Sequence, residues 1–138
     1  MDYSAIIMAI AKTVGVPGHL LLAICTHESN LQNVLVPHDK GSPSYGLCQV
    51  KANTAKMLGF NGLPIGLMDP EVNVKYAAKY LKMQLKRYDG DWCKGVAAYN
   101  SGTYNPSSIP GKPKNLKYID KIRLHLDNKF KNLLVCEP

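Results

Sequence analysis

The chain of 138 residues has no apolar run of membrane-spanning length, which excludes an inserted helix. It has no internal repeat, low-complexity tract or long linker, so neither a repeat array nor a disordered tail is expected. The four cysteines, at positions 25, 48, 93 and 136, form no CxxC pair and share no zinc-like spacing with histidine. The N-terminus, Met1-Asp2-Tyr3-Ser4, lacks a cationic stretch ahead of the apolar Ala5 to Ala11, so no secretory signal is expected. An even cysteine count permits two disulfides. The missing signal instead favours reduced thiols, with Cys25 and Cys93 as small buried hydrophobes.

Acidic residues are scarce: ten against seventeen Lys and Arg, a net charge of +7. Between Lys112 and Lys131, seven cations and two anions leave +5. This excess fits a solvated helix face, or attraction to a polyanion such as a cell wall or nucleic acid. No recognition-helix motif accompanies it, which speaks against a nucleic-acid partner. With 46% apolar and 20% charged residues, the chain reads as one globular domain, 1–138, around one core.

The helical period dominates what is present. Ile6, Ile7, Ile10 and Val14 line one face of a helix over 3–14, with Gly15 as its stop. Pro17 opens a second helix that runs to Ser29. Residues 32–46 hold Pro37, Gly41, Pro43 and Gly46 among polar residues and read as an irregular loop with room for a short hairpin. A helix over 52–58 stops at Gly59, and 62–66 is a loop. Asp69-Pro70-Glu71 combines a cap, a first-turn proline and an early acid, and starts a helix reaching Tyr88. Another spans 91–101. Pro106, Pro110 and Pro113 impose a loop, and a last helix carries Leu116, Ile119, Ile122, Leu126, Phe130 and Leu133. The fold class is therefore mainly α: about six helices, long loops and a small β-hairpin.

Glu28 stands out chemically. It follows the apolar run Leu20 to Cys25, where a carboxylate is costly unless it is paired, hydrogen-bonded or protonated. A carboxyl group kept protonated near neutral pH is what a general acid requires. Two later segments, Tyr45-Gly46-Leu47-Cys48-Gln49-Val50 and Ala97-Ala98-Tyr99-Asn100-Ser101-Gly102, supply small residues, an amide and a phenol suited to a sugar cleft.

Taken in order, these pieces resemble the soluble lytic transglycosylase (SLT) domain, a lysozyme-like family related in fold to goose-type lysozyme. The family pattern of Glu-Ser, Gly-Leu-Met-Gln-Ile, Ala-Tyr-Asn-Ala-Gly and a late Tyr-Val stands here as Glu28-Ser29, Gly46-Leu47-Cys48-Gln49-Val50, Ala98-Tyr99-Asn100-Ser101-Gly102 and Tyr118-Ile119. Asp69-Pro70 with Asn73-Val74 also fits. The resemblance runs from about Ile6 to about Ile122. Cys48 replaces the usual Met and Ser101 a small Ala.

The resemblance implies cleavage of the MurNAc–GlcNAc β-1,4 bond of peptidoglycan with formation of a 1,6-anhydro ring. Glu28 would serve as the single acid and base, with a pKa raised from about 4.3 towards about 6. Ser29, Gly46, Leu47, Cys48, Gln49, Tyr99, Asn100 and Tyr118 are the substrate-binding candidates. No metal or cofactor is implied. The expected partner is the glycan strand, and the expected state is a monomer. The wall lies outside the cytoplasm, so a virion-associated phage enzyme, a phage lysin or a secretion-apparatus enzyme is expected.

Three other readings compete. Ordinary glycosidases pair two carboxylates. Asp39 is the one candidate partner in the loop after Glu28, and it would make the chain a hydrolysing lysozyme; a turn role for Asp39 is preferred. A non-catalytic wall-binding module would not need Glu28. A Cys48 nucleophile with His27 or His38 as base lacks any surrounding cysteine-protease signature.

Overall fold

The computed structural model describes residues 2–138. It contains six α-helices, two 3-10 helices and one two-stranded antiparallel sheet: α1 Tyr3–Val14, α2 Gly18–Ser29, β1 Leu35–Asp39, β2 Ser42–Tyr45, α3 Ala52–Met57, a 3-10 helix Pro64–Met68, α4 Pro70–Arg87, α5 Trp92–Ser101, α6 Leu116–His125 and a 3-10 helix Asn128–Leu133. The chain divides into two compact units, Met1–Tyr80 and Leu81–Pro138, with α4 running through the boundary.

In the first unit, Asp2 caps α1 by accepting the Ser4 backbone N–H at 3.0 Å and the Ser4 hydroxyl at 2.5 Å. Gly15 ends α1 in the left-handed region, its N–H returning to the Ala11 carbonyl at 2.8 Å. The chain turns at Pro17 and α2 packs back on α1. Leu20, Leu21, Ala23, Ile24 and Cys25 are all buried, so α2 is apolar around most of its circumference and forms the centre of this unit. Asn30 stops it, donating its N–H to the Thr26 carbonyl at 2.7 Å.

The hairpin follows. Leu35 faces Tyr45, Val36 faces Ser44 and Asp39 faces Ser42, with a register shift between Val36 and Asp39, where Pro37 offers no N–H. Lys40 and Gly41 both have positive φ, 53° and 91°, as a two-residue type I′ turn requires. Asp69 then accepts the N–H groups of Glu71 and Val72 at 3.0 and 3.2 Å and starts α4, which buries Asn73, Val74, Tyr76, Ala77 and Ala78 within this unit.

In the second unit, Asp91 caps α5 through the Lys94 N–H at 3.1 Å. α5 buries Cys93, Gly95, Val96, Ala97 and Ala98 and packs on α6, which buries Tyr118, Ile119 and Ile122. Gly95 is required because a Cβ there would sit 2.6 Å from Leu85 Cδ2 and 3.2 Å from its Cα.

Two expectations are corrected. The last helix ends at His125; Leu126 is extended and Asp127 caps a separate 3-10 helix through the Lys129 N–H at 3.2 Å. Asp127-Asn128 favour local side-chain bonds over helix continuation, which overrides the apolar spacing. The cysteines are not free thiols: Cys25 pairs with Cys48 and Cys93 with Cys136. All four are buried, as expected of Cys25 and Cys93, but as disulfides. With sequence separations of 23 and 43, loop-closure entropy assigns the two bonds about 3 and about 4 kcal/mol of stability.

Candidate active site

Glu28 lies in the last turn of α2, half-buried, one residue before the helix ends. The chain then reverses through Asn30 and Leu31, both left-handed at φ 54° and 57°. Asn tolerates that conformation; Leu does so at a cost of about 1 kcal/mol or more. The turn immediately after Glu28 is thus held in a conformation its sequence does not favour.

What holds it is the segment Tyr45–Val50. Tyr45 and Val50 exchange backbone hydrogen bonds, each 3.0 Å, and close a tight loop. The Ser29 hydroxyl donates to the Leu47 carbonyl at 2.5 Å, tying the residue after Glu28 directly to that loop. The disulfide from Cys25 to Cys48 makes a second tie, one helical turn before Glu28. Asn73, fully buried on α4, makes the third anchor. Its Nδ2 donates to the Tyr45 and Leu67 carbonyls at 2.6 and 2.8 Å, and its Oδ1 accepts the Cys48 N–H at 2.9 Å. Gly46, at φ 76°, adds an N–H to the Val34 carbonyl at 2.7 Å.

The sequence candidates thereby acquire distinct roles. Gly46, a substrate-binding candidate, also meets a packing requirement, because the Asn73 amide fills the space a Cβ would need. Leu47 and Cys48 are 0% and 1% exposed. Their side chains are thus buried supports of the loop, not a wall for sugar rings. The disulfide also removes the thiol that a Cys48 nucleophile needs. Gln49 is half-buried and left-handed at φ 53°, with Nε2 donating to the Gly46 and Val34 carbonyls at 2.9 and 3.0 Å. Ser29 directs its hydroxyl to the Leu47 carbonyl, with the Cys25 carbonyl a second, longer acceptor at 3.3 Å. Asp39 accepts the Ser44 hydroxyl at 2.8 Å, and its own carbonyl receives the Lys51 ammonium, which also bonds the Ser42 hydroxyl at 2.8 Å. Asp39 is therefore built into the hairpin turn.

The second unit holds the other motif. Tyr99 and Asn100 are half-buried near the end of α5, and Tyr118 is buried on α6. Asn115 Nδ2 donates to Asn100 Oδ1 at 2.9 Å and to the Ala97 carbonyl at 3.0 Å, fixing the Asn100 amide. Gln84, 1% exposed, sends Nε2 to the Ala98 and Gly102 carbonyls at 3.4 and 3.2 Å, and Arg87 reaches the Gly102 carbonyl at 3.0 Å. These side chains add bonds to the carbonyls at the end of α5, where the Ala98 carbonyl also accepts the Gly102 N–H at 2.7 Å. Arg87 also donates to the Thr103 hydroxyl at 3.0 Å; the Tyr88 and Thr103 hydroxyls bond at 3.2 Å, and the Tyr104 N–H reaches the Tyr88 oxygen at 2.8 Å. Partial burial raises the Tyr88 phenol pKa, but the bonds from Thr103 and Tyr104 and the charges of Arg87 and Lys94 outweigh it and hold the phenol below its ordinary value.

Sequence reasoning placed Asn73 in a family segment without a role and passed over Gln84, Asn115 and Thr103. The available signal was a polar amide inside an apolar helical stripe, Asn73 between Val72 and Val74.

Helices, hairpin and loop together define a lytic transglycosylase fold. The structure aligns with an inactive mutant of lytic transglycosylase Slt from Pseudomonas aeruginosa at TM-score 0.65 and 20% identity, over 99% of this chain and 22% of that one. It aligns with the 70 kDa soluble lytic transglycosylase of Escherichia coli at TM-score 0.58 and 22% identity, over 91% of this chain and 20% of the other. In sequence, the transglycosylase SLT domain profile matches residues 5–121. The chain belongs to that family. It is also 33% identical over 104 residues to the peptidoglycan transglycosylase gp16 of Escherichia phage T7, covering 73% of this chain. The chain spans 8% of the length of gp16 and about a fifth of each solved relative. Among the described residues, no helix is long and apolar enough to cross a membrane.

Proposed function

We propose that the chain is a peptidoglycan lytic transglycosylase with Glu28 as its single acid and base. The observation that carries this reading is the direct tie between the residue after Glu28 and the Gly46–Gln49 motif, Ser29 Oγ to the Leu47 carbonyl at 2.5 Å, in a chain of the SLT family. In the proposed reaction the Glu28 carboxyl protonates the oxygen of the MurNAc–GlcNAc bond, so an alcohol leaves in place of an alkoxide. The Glu28 carboxylate then takes the proton of the muramyl 6-hydroxyl as that oxygen attacks the anomeric carbon. A 1,6-anhydro ring closes and no water is consumed. The nucleophile is already part of the substrate, which lowers the entropic barrier.

Gln49, with its amide nitrogen committed to the loop, directs its carbonyl end to a hydroxyl or amide donor of the glycan. Tyr99, Asn100 and Tyr118 are proposed as further binding residues on the strength of their motif positions. The hydrolysing alternative needs a second carboxylate to position water; the hairpin bonds of Asp39 argue against that use. Similarity to the phage T7 peptidoglycan transglycosylase gp16 supports a phage enzyme acting on the cell wall. The active species is proposed to be a monomer.

Product analysis tests the reading. Mass spectra of digested sacculi are expected to show anhydro ends, one water lighter than reducing ends, and Glu28→Gln is expected to yield neither.

A further inference from the structure

We infer that the oxidation state of Cys25 and Cys48 sets the catalytic competence of Glu28, so that the chain becomes an active wall-cleaving enzyme only after this disulfide forms. The inference rests on the proposed function and concerns the regulation of the same site.

The bond closes a ring from Cys25 to Cys48. That ring contains Glu28, Ser29, the left-handed pair Asn30-Leu31, the whole hairpin and Gly46-Leu47. Apolar burial in the ring between the cysteines is confined to its end, at Tyr45 and Leu47; Val34, Leu35 and Val36 are 38%, 39% and 38% exposed. A two-stranded hairpin is marginal by itself. Non-covalently, the residue after Glu28 is tied to the motif loop by the Ser29–Leu47 hydrogen bond, whose net contribution is of the same order as the strain at Leu31. The disulfide is the covalent tie, anchored one helical turn from the carboxyl group it positions.

Reduction need not unfold the unit. Ile7, Leu20, Leu21 and Ile24, which precede the ring in the sequence, are fully buried, and Asn73 still holds Tyr45 and Cys48. Two thiols at sites 0% and 1% exposed behave as small apolar groups. What reduction releases is the register between Glu28 and the loop, and misplacement by about 1 Å can cost about 10²-fold in rate.

The oxidant is an external disulfide such as oxidised glutathione. One cysteine thiolate attacks it and expels one glutathione thiolate; the second cysteine then displaces the other. The protein dithiol and one oxidised glutathione become a protein disulfide and two reduced glutathiones, with two protons passing to the leaving thiolates. A reducing cytosol would thus hold the chain inactive, and the oxidising compartment that holds the wall would switch it on.

The test uses the full chain carrying Cys93→Ala and Cys136→Ala, so that only the Cys25–Cys48 pair titrates. It is equilibrated against reduced and oxidised glutathione, with thiol content, helical circular dichroism, kcat and KM on sacculi read together. kcat is expected to follow the disulfide fraction and fall about 10²-fold on full reduction, with helicity retained, KM changed less than about twofold, and recovery on reoxidation. Reduced protein keeping more than half of kcat overturns the inference. So does reduction that melts the helices, since the bond is then a staple of the fold. Oxidised enzyme that cleaves no wall defeats the functional reading itself, and the inference with it.

Discussion

Gly46 and Asn73 are fitted to each other: a Cβ at position 46 would lie 2.5 Å from Asn73 Nδ2, the atom that donates to the Tyr45 and Leu67 carbonyls. The fit explains why an amide is buried on α4 and why a glycine opens the motif loop. Asn73→Ala leaves the Cys48 N–H and two carbonyls without this partner and is expected to cost about 2–4 kcal/mol in urea unfolding. Gly46→Ala combines the collision with a left-handed backbone and is expected to cost about 1–3 kcal/mol. An unchanged unfolding midpoint for both variants would refute the clamp.

Ser29 acts on the loop through its hydroxyl. Ser29→Ala is expected to lose about 1 kcal/mol of stability and to lower kcat on sacculi about tenfold, with KM nearly constant. A change confined to KM would instead indicate direct contact with the glycan.

Tyr88 gives a pH signature. Its phenol pKa is lowered in the folded chain, so the ionised form is favoured there. The resulting stabilisation is present above the unfolded pKa and is lost as pH falls through the folded one. The melting temperature of the wild type relative to Tyr88→Phe should therefore rise as pH climbs towards the ordinary phenol pKa of about 10. A flat difference would show that Thr103, Tyr104 and Arg87 do not favour the phenolate.

Much of the fold was legible because its signals are local. Gly15, Asp69-Pro70 and Asp91 mark helix ends through caps that involve residues two to four positions away. Gly41 and the two flanking prolines marked an irregular loop with room for a hairpin, and the structure builds that hairpin there as β1 and β2. The cysteine pairing was not legible, because four cysteines allow three connectivities and the partners lie 23 and 43 residues apart. The break at Leu126 was masked by apolar spacing that continues across it. In the candidate site, Glu28 and the motif segments could be read from residue types in order. The amides that position them, Asn73 and Asn115, could not. Their partners are 25 and 15 residues distant, and a lone Asn on a helix carries no sign of which carbonyl it will meet.

The central claim is that one carboxyl group, Glu28, performs both proton transfers. The most direct measurement is mass spectrometry of muropeptides released from sacculi by wild type, Glu28→Gln and Asp39→Asn at matched folded concentration. The account predicts anhydro-muramyl products from wild type and Asp39→Asn, and none above background from Glu28→Gln. Reducing-end products from wild type that vanish in Asp39→Asn, or anhydro products that persist in Glu28→Gln, would contradict it.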